Sequence, residues 1–259
     1  MPRATTRSEP AAATPRLSRP ERVAEEIKAW VVEGNMAPGE RLPSEQELIE
    51  RFGMAKGTIR EAMRILEAQG LVRSRTGPGG GCFVHEVSEA RARALLGNYF
   101  FFRNLTISDI YEVRIAMEPE MAAALAGKLT QAQLAALERN ILRYEAPPSD
   151  AEEERAQHVA SLDFHRLLAG WSDNPLLGFL IGFMAEMLSD LTVWRRLYEP
   201  RNYDLWREGR DYQRRLVGAL RDGDAEAARR IMRAHMRAAR ALMERQEAIM
   251  TRRFLRDRA

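Results

Sequence analysis

Cysteine is almost missing from this chain: Cys82 is the sole one in 259 residues. That excludes an internal disulfide framework and a CxxC zinc ribbon, and it fits a reducing compartment such as the cytoplasm. Excess charge of one sign is missing too, since forty basic residues against thirty-seven acidic ones leave a formal net charge of +3. A polybasic protein that coats nucleic acid indiscriminately is thereby excluded, and any affinity for DNA has to come from a local patch. No uninterrupted apolar run approaches the roughly 18 residues of a membrane span, so a soluble chain with no membrane partner is expected. The opening MPRATTRSEPAAATPR has arginines with no apolar core behind them, and residues 1–17 read as a disordered tail rather than a secretory signal. Catalytic signatures are absent as well: there is no GxSxG elbow, HExxH pair, Walker loop or GxGxxG after a strand. The run GPGGG lacks the lysine and helix of a phosphate loop, which makes a turn the better reading, and no enzyme is expected.

What is present is enough apolar sequence for at least one sizeable core, with 45% hydrophobic and 30% charged residues. Glycine and proline punctuate the first third and thin out afterwards, dividing a turn-rich segment from a long helical one. Val23, Ile27, Trp30 and Val31 recur at helical spacing between a Ser18 cap and a Gly34 stop. Ser44 followed by Glu47 is a capping-box pattern that opens a short helix ending at Gly53. The next run, Ile59, Met63 and Leu66, stops at Gly70, and two short helices around a tight glycine turn make a helix-turn-helix. LVRSR and GCFVH are strand-like runs flanking TGPGG, a hairpin, so the segment is a winged helix. From Ser88 onward the pattern predicts helices over 88–103, 106–127, 130–145, 150–170, 174–198, 203–222 and 224–250, packed as an antiparallel bundle. The fold class expected is mainly α, an N-terminal winged helix-turn-helix followed by an all-α bundle.

A helix-turn-helix reads DNA by placing the first residues of its second helix against base edges, while flanking groups hold phosphate. That helix starts near AKGTIREAMR, which puts Lys56, Thr58 and Arg60 in its first turn and a half, with Gly57 allowing close backbone approach. Six basic residues (Arg51, Lys56, Arg60, Arg64, Arg73, Arg75) against two acidic ones (Glu61, Glu67) lie between Arg51 and Thr76, a local excess of four. By charge alone this is equally a solvated helix surface. The stretch LPSEQELIERFGMAKGTIREAMRILEAQGLV, continuing to the wing and CFV, resembles the winged-helix domain of the GntR family of bacterial transcription regulators over residues 19–86. The resemblance implies double-stranded operator DNA as a partner, contacted by Arg60, Lys56 and Thr58, by Ser44 and Gln46 of the LPSE motif, and by Arg75, Thr76 and Gly77 at the wing. The family commonly has arginine where this chain has Gln46, and glutamine contributes hydrogen bonds but no charge.

The segments YEVRIAMEPEMAAALA, LDFHRLLAGWSDNPLL and ALRDGDAEAARRIMRAHM resemble the FCD helical domain of the FadR subfamily of these regulators. The resemblance implies a homodimer and a small effector, often a carboxylate, held by a divalent metal on one aspartate and three histidines. Carried over position by position, that set becomes Ser161, His165, Gln213 and His235, and serine and glutamine are much poorer ligands. His165 and His235 remain as candidate ligands for zinc, manganese or nickel. Asp163 is no substitute, since two residues from His165 on a helix it points about 160° away. From the residues alone, each histidine reads better as a core residue paired to a polar neighbour. Arg114 is either an ion-pair partner of Glu118, one turn on, or a clamp on an effector carboxylate. The expected site is therefore Arg114, Ser161, His165, Gln213 and His235, converging inside the bundle.

The expected layout is a tail at 1–17, the DNA-binding domain at 18–86, a linker helix at 87–103, the effector and dimerisation domain at 104–250 and a basic tail at 251–259. The expected function is a ligand-responsive regulator, a repressor sensing an organic acid. A metal-free sensor of a larger apolar effector such as a fatty acyl compound is the first alternative. A helical interaction module without DNA binding is the second, and it leaves the basic start of the recognition helix unexplained.

Overall fold

The computed structural model describes residues 17–103 and 105–256, with side chains up to residue 250; residues 1–16 of the expected tail lie outside these. The chain divides after Ala92 into two compact units.

The first unit is built on three capped helices. Helix α1 (Arg19–Glu33) starts at Ser18, whose hydroxyl and backbone exchange hydrogen bonds with Glu21, and ends at Gly34. Ser44 and Glu47 form the same reciprocal cap on α2 (Glu45–Phe52), which stops at Gly53 with φ of 59°. Helix α3 (Lys56–Gln69) follows after Met54 and Ala55 and ends at Gly70, φ 82°. Strands β1 (Val72–Arg75) and β2 (Gly81–Val84) pair antiparallel with Val72 opposite Val84, and Arg41 bridges to Phe83 on the other side. Ile27, Leu42, Leu48, Ile59, Leu66 and Val72 are buried together, each stabilising the unit by about 1.5–3 kcal/mol relative to exposure.

Helix α4 (Glu89–Phe101) carries the chain from one unit into the next and has no buried residue. Six helices follow: α5 (Ile107–Leu125), α6 (Gln131–Leu142), α7 (Ala151–Gly170), α8 (Pro175–Trp194), α9 (Tyr203–Asp222) and α10 (Ala225–Arg256). Side-chain caps from Thr106, Thr130, Asp150, Asn174 and Asn202 start α5 to α9. Helices α5 and α10 run antiparallel, as Glu120 pairs with Arg229 and Arg233 while Ser108 bonds Arg240. Three boundaries differ from the sequence expectation by three residues or more. Helix α8 stops at Trp194 rather than 198, because Arg196 takes a left-handed φ of 52° and the Leu197 N–H returns to the Thr192 carbonyl at 2.9 Å. Helix α6 stops at Leu142 rather than 145, and the Arg143 and Tyr144 N–H groups close its last turn on Asn140 and Ile141. Helix α10 continues to Arg256, so residues 251–256 are helical rather than tail; TRRFLR holds no glycine or proline to end the helix.

Despite the absence of a long uninterrupted apolar run, α8 is apolar enough by length and composition to cross a membrane, with a mean hydropathy of 1.6 over its best window. Its Ile181, Ala185 and Leu188 are fully buried, and Glu186 and Asp190 interrupt it, which is the pattern of a central core helix.

Candidate DNA-reading face and candidate effector site

At the N-terminal end of α3, Ile59 and Ala62 anchor the helix in the core, and that packing turns Lys56, Gly57 and Arg60 outward. Lys56 Nζ lies 3.3 Å and Arg60 Nε 3.6 Å from the carboxylate of Glu45 on α2, so one acidic side chain tethers both cations. A Cβ added to Gly57 would meet nothing within 4 Å, which leaves this face open to a large partner. Thr58 is half-buried. Ser44 spends its hydroxyl on the α2 cap, donating to Glu47 Oε2 at 2.7 Å, so what it does directly is hold the helix start. Gln46 is exposed and donates to Glu50 at 3.2 Å. At the wing, Arg75 stacks on Phe83 at 4.7 Å, while Thr76 and Gly77 occupy the exposed turn. Gly77 has φ of 92°, a conformation other residues resist. Arg51, one of the six basic residues of the local excess, lies over Trp30 at 4.4 Å.

The second unit holds a chain of charged and polar side chains inside its apolar core. Arg114 Nε donates to Glu118 Oε1 at 2.5 Å, one turn on along α5, and both side chains are fully buried. Glu118 Oε2 accepts from His165 Nδ1 on α7, also at 2.5 Å. His165 Nε2 then faces His235 Nε2 on α10 at 3.3 Å, with ring planes 17° apart. Gln213 on α9 places its amide nitrogen 3.5 Å from His165 Nε2 and 3.0 Å from the Ser161 carbonyl, to which it donates. Its oxygen accepts from the Tyr144 hydroxyl at 2.6 Å, and Asn140 Oδ1 lies 2.9 Å from the same hydroxyl. Arg114 Nη2 is buried with no acceptor in hydrogen-bonding geometry, and its guanidinium lies 5.1 Å from the Tyr111 ring.

Electrostatics follow from this burial. Desolvation alone would raise the Glu118 carboxyl, yet Arg114 and His165 together hold it down at about 2, so it is ionised. Desolvation lowers His165 and His235, and the Arg114 charge lowers both further; His235 is pushed well below its ordinary value. His158 falls to about 4 for the same two reasons and lies 3.3 Å from Thr192 Oγ1. The histidines are therefore neutral near pH 7. With His165 Nδ1 donating to Glu118, its Nε2 carries a lone pair, and His235 Nε2–H is the donor toward it.

The donor set does not fit a divalent metal. Among the described residues no group of three or more histidine, cysteine, aspartate or glutamate side chains is placed to hold one. The pair left at the family's ligand positions, His165 and His235, is joined by Gln213 through a nitrogen and by Ser161 through a backbone carbonyl already taken by that amide. Asp163 faces away and pairs with Arg143 and Arg166.

Of the five residues expected at this site, the structure brings His165, Gln213 and His235 into contact, joins Arg114 to them through Glu118, and includes Ser161 by its backbone. Glu118 as the link to His165 escaped the sequence reading, although an Arg–Glu pair one turn apart amid apolar residues was its signal. Tyr144 and Asn140 gave none, since Tyr144 meets Gln213 across 69 residues of chain.

Two family models match this chain: "Bacterial regulatory proteins, gntR family" over residues 19–84 and the FCD domain over residues 109–238. Among similar proteins, the HTH-type transcriptional repressor NanR of Edwardsiella tarda is 29% identical, covering 90% of this chain and 91% of that protein. The HTH-type transcriptional regulator LutR of Bacillus subtilis is 27% identical over 78% and 91%. The putative L-lactate dehydrogenase operon regulatory protein of Escherichia coli is 29% identical over 86% and 85%. A solved structure, Streptococcus agalactiae GntR, shares the fold with a TM-score of 0.59 at 24% identity, covering 86% of this chain and 99% of that one. The winged helix, the helical bundle that follows it in sequence and the matched models together make this chain a member of the GntR family of bacterial transcription regulators, in the FCD-containing FadR subfamily, a DNA-binding regulator and not an enzyme.

Proposed function

We propose that the protein is a homodimeric, cytoplasmic repressor that binds a short palindromic operator and is controlled by an organic acid held in its helical unit. The observation that carries the effector half is the buried chain Arg114–Glu118–His165–His235. Buried charge is seldom a gain in stability over an apolar core of the same volume, so such a chain supports the reading of a working site. In this reading Lys56, Gly57, Thr58, Arg60, Gln46 and the wing residues Arg75, Thr76 and Gly77 meet DNA, with Ser44 holding the start of α2. Arg114, Ser161, His165, Gln213 and His235 surround the effector. The layout is a DNA-binding domain at 18–86, a linker helix at 87–103 and an effector domain from 104 onward. Dimerisation follows from the need to present two recognition helices about one DNA turn apart. The exposed Leu95, Tyr99, Phe101 and Phe102 of the α4 segment and the exposed Leu176 and Trp194 of α8 supply apolar surface for it. Control requires the effector to bind the DNA-competent and DNA-incompetent states unequally, so operator and effector weaken or strengthen each other reciprocally.

The similar proteins include a repressor and a putative L-lactate dehydrogenase operon regulator, which supports repression and a small hydroxy acid as the first candidate to try. The test is a mobility shift on the DNA upstream of the gene, with and without L-lactate and other organic acids, combined with light scattering of the free protein. A dimer that binds the fragment and releases it with one acid is the expected result. A monomer, or a protein indifferent to that DNA, would overturn the proposal.

A further inference from the structure

The polar groups that link the buried cluster are committed to one another. Glu118 divides its oxygens between Arg114 Nε and His165 Nδ1. Gln213 is held at both ends of its amide: the oxygen takes the Tyr144 hydroxyl and the nitrogen donates to the Ser161 carbonyl. Turning the amide over would set its oxygen against the Ser161 carbonyl, so the orientation is fixed. Gln213 consequently shows an N–H to His165, at the position where a metal requires a lone pair. The His165 Nε2 lone pair is met by His235 and by that amide, and the Arg114 guanidinium places a positive charge next to the cluster. One edge that stays open is Arg114 Nη2, buried beside Tyr111 and without an acceptor in hydrogen-bonding geometry. Glu118 uses Nε, and a guanidinium can hold a second carboxylate on its Nη side.

Resting on the effector reading above, we infer that this site binds the carboxylate of its effector directly on Arg114 Nη2, without a metal ion, and so accepts monocarboxylates that have no chelating hydroxyl. A metal-centred site selects ligands that can complete a coordination sphere. An arginine site selects the carboxylate alone and leaves the rest of the molecule to shape. The substitutions to Ser161 and Gln213 are then parts of one arrangement, in which Tyr144 and the Ser161 carbonyl hold the Gln213 amide against metal entry.

The test uses the full chain, purified with and without EDTA, and reads metal content by elemental analysis and the Tm shift in acetate, propionate, L-lactate and benzoate. Wild type is expected to hold no stoichiometric zinc, manganese or nickel. At least one monocarboxylate should raise Tm by the same amount in both preparations, and Arg114→Lys, which keeps the charge beside Glu118 but not the fork, should lose that shift. The double variant Ser161→Asp with Gln213→His, restoring the family's ligand types, should gain about one zinc per chain, with a Tm that falls in EDTA. One equivalent of metal in wild type, with a carboxylate shift that disappears in EDTA, would overturn the metal-free site and leave the effector reading standing. An unchanged shift in Arg114→Lys would overturn the arginine assignment. If no carboxylate shifts either wild type or the zinc-loaded variant, the effector reading fails with it. Should Arg114→Lys not fold, the wild-type comparison with and without EDTA still decides the question of the metal.

Discussion

The cations of the DNA-reading unit and the cation of the helical unit stand in opposite surroundings. Lys56 and Arg60 have side chains 68% and 60% exposed and share Glu45 across 3.3 and 3.6 Å. Arg114 is 1% exposed and bonds Glu118 at 2.5 Å. Exposed pairs of the first kind contribute about 0–1 kcal/mol and exchange readily with water, so Lys56 and Arg60 can leave Glu45 for a phosphate or a base edge at little cost. The buried pair cannot exchange with water, and any partner it takes has to come inside the bundle. Surface charge suits a large polyanion, and buried charge suits a small ligand that is itself enclosed.

The largest effect should come from breaking the buried side of this contrast. Glu118→Ala leaves Arg114 and His165 without their shared acceptor and is expected to lower stability by about 3–5 kcal/mol, read from urea midpoints, with Glu118→Gln costing less. A loss below about 1 kcal/mol would show that the ion pair is not buried as described. The pH dependence comes next. Burial and Arg114 hold His158, His165 and His235 below the ordinary 6.5, with His158 at about 4. The unfolded chain therefore takes up protons between pH 6.5 and 4 that the folded chain refuses. Stability is full above 6.5 and falls as pH drops toward 4, by roughly 3 kcal/mol from His158 alone. The opposite ionisation, that of Glu118, is lost only as pH falls from 4.5 toward about 2. Equal urea midpoints at pH 7.5 and 5 would contradict this.

On the exposed side, Arg60→Ala should weaken operator binding by about 1–3 kcal/mol in fluorescence anisotropy while leaving Tm unchanged. The smallest effect is expected from Glu45→Gln, which frees both cations. Stability should change by less than about 1 kcal/mol, and affinity for DNA should rise modestly, most at low salt. Weaker binding in Glu45→Gln would mean that Glu45 orients the cations instead of competing with DNA for them.

The same contrast decides what could be read in advance. The DNA-reading unit is local: Ser44 with Glu47, Gly53, the spacing of Ile59 and Leu66, and the glycines of TGPGG each act within a few residues, so elements and exposed cations were legible together. The buried polar cluster of the helical unit is assembled from α5, the end of α6, α7, α9 and α10. Helical spacing pointed to Arg114 with Glu118, and the family resemblance to His165, Gln213 and His235. The bond from Glu118 to His165, 47 residues on, and from Tyr144 to Gln213 depend on how the helices pack, for which the sequence has no local signal. The helix ends differ from the spacing for a related reason. Periodicity continues through Leu197, but the left-handed turn at Arg196 comes from the backbone returning to Thr192.

The most direct test of the division between an exposed reader and a buried sensor is a crossed measurement on two variants. Arg60→Ala and Arg114→Lys are each assayed for operator binding by anisotropy and for the carboxylate-induced Tm shift. The account predicts that Arg60→Ala loses DNA affinity and keeps the full shift, while Arg114→Lys keeps DNA affinity and loses the shift. Loss of both properties in either variant would contradict it.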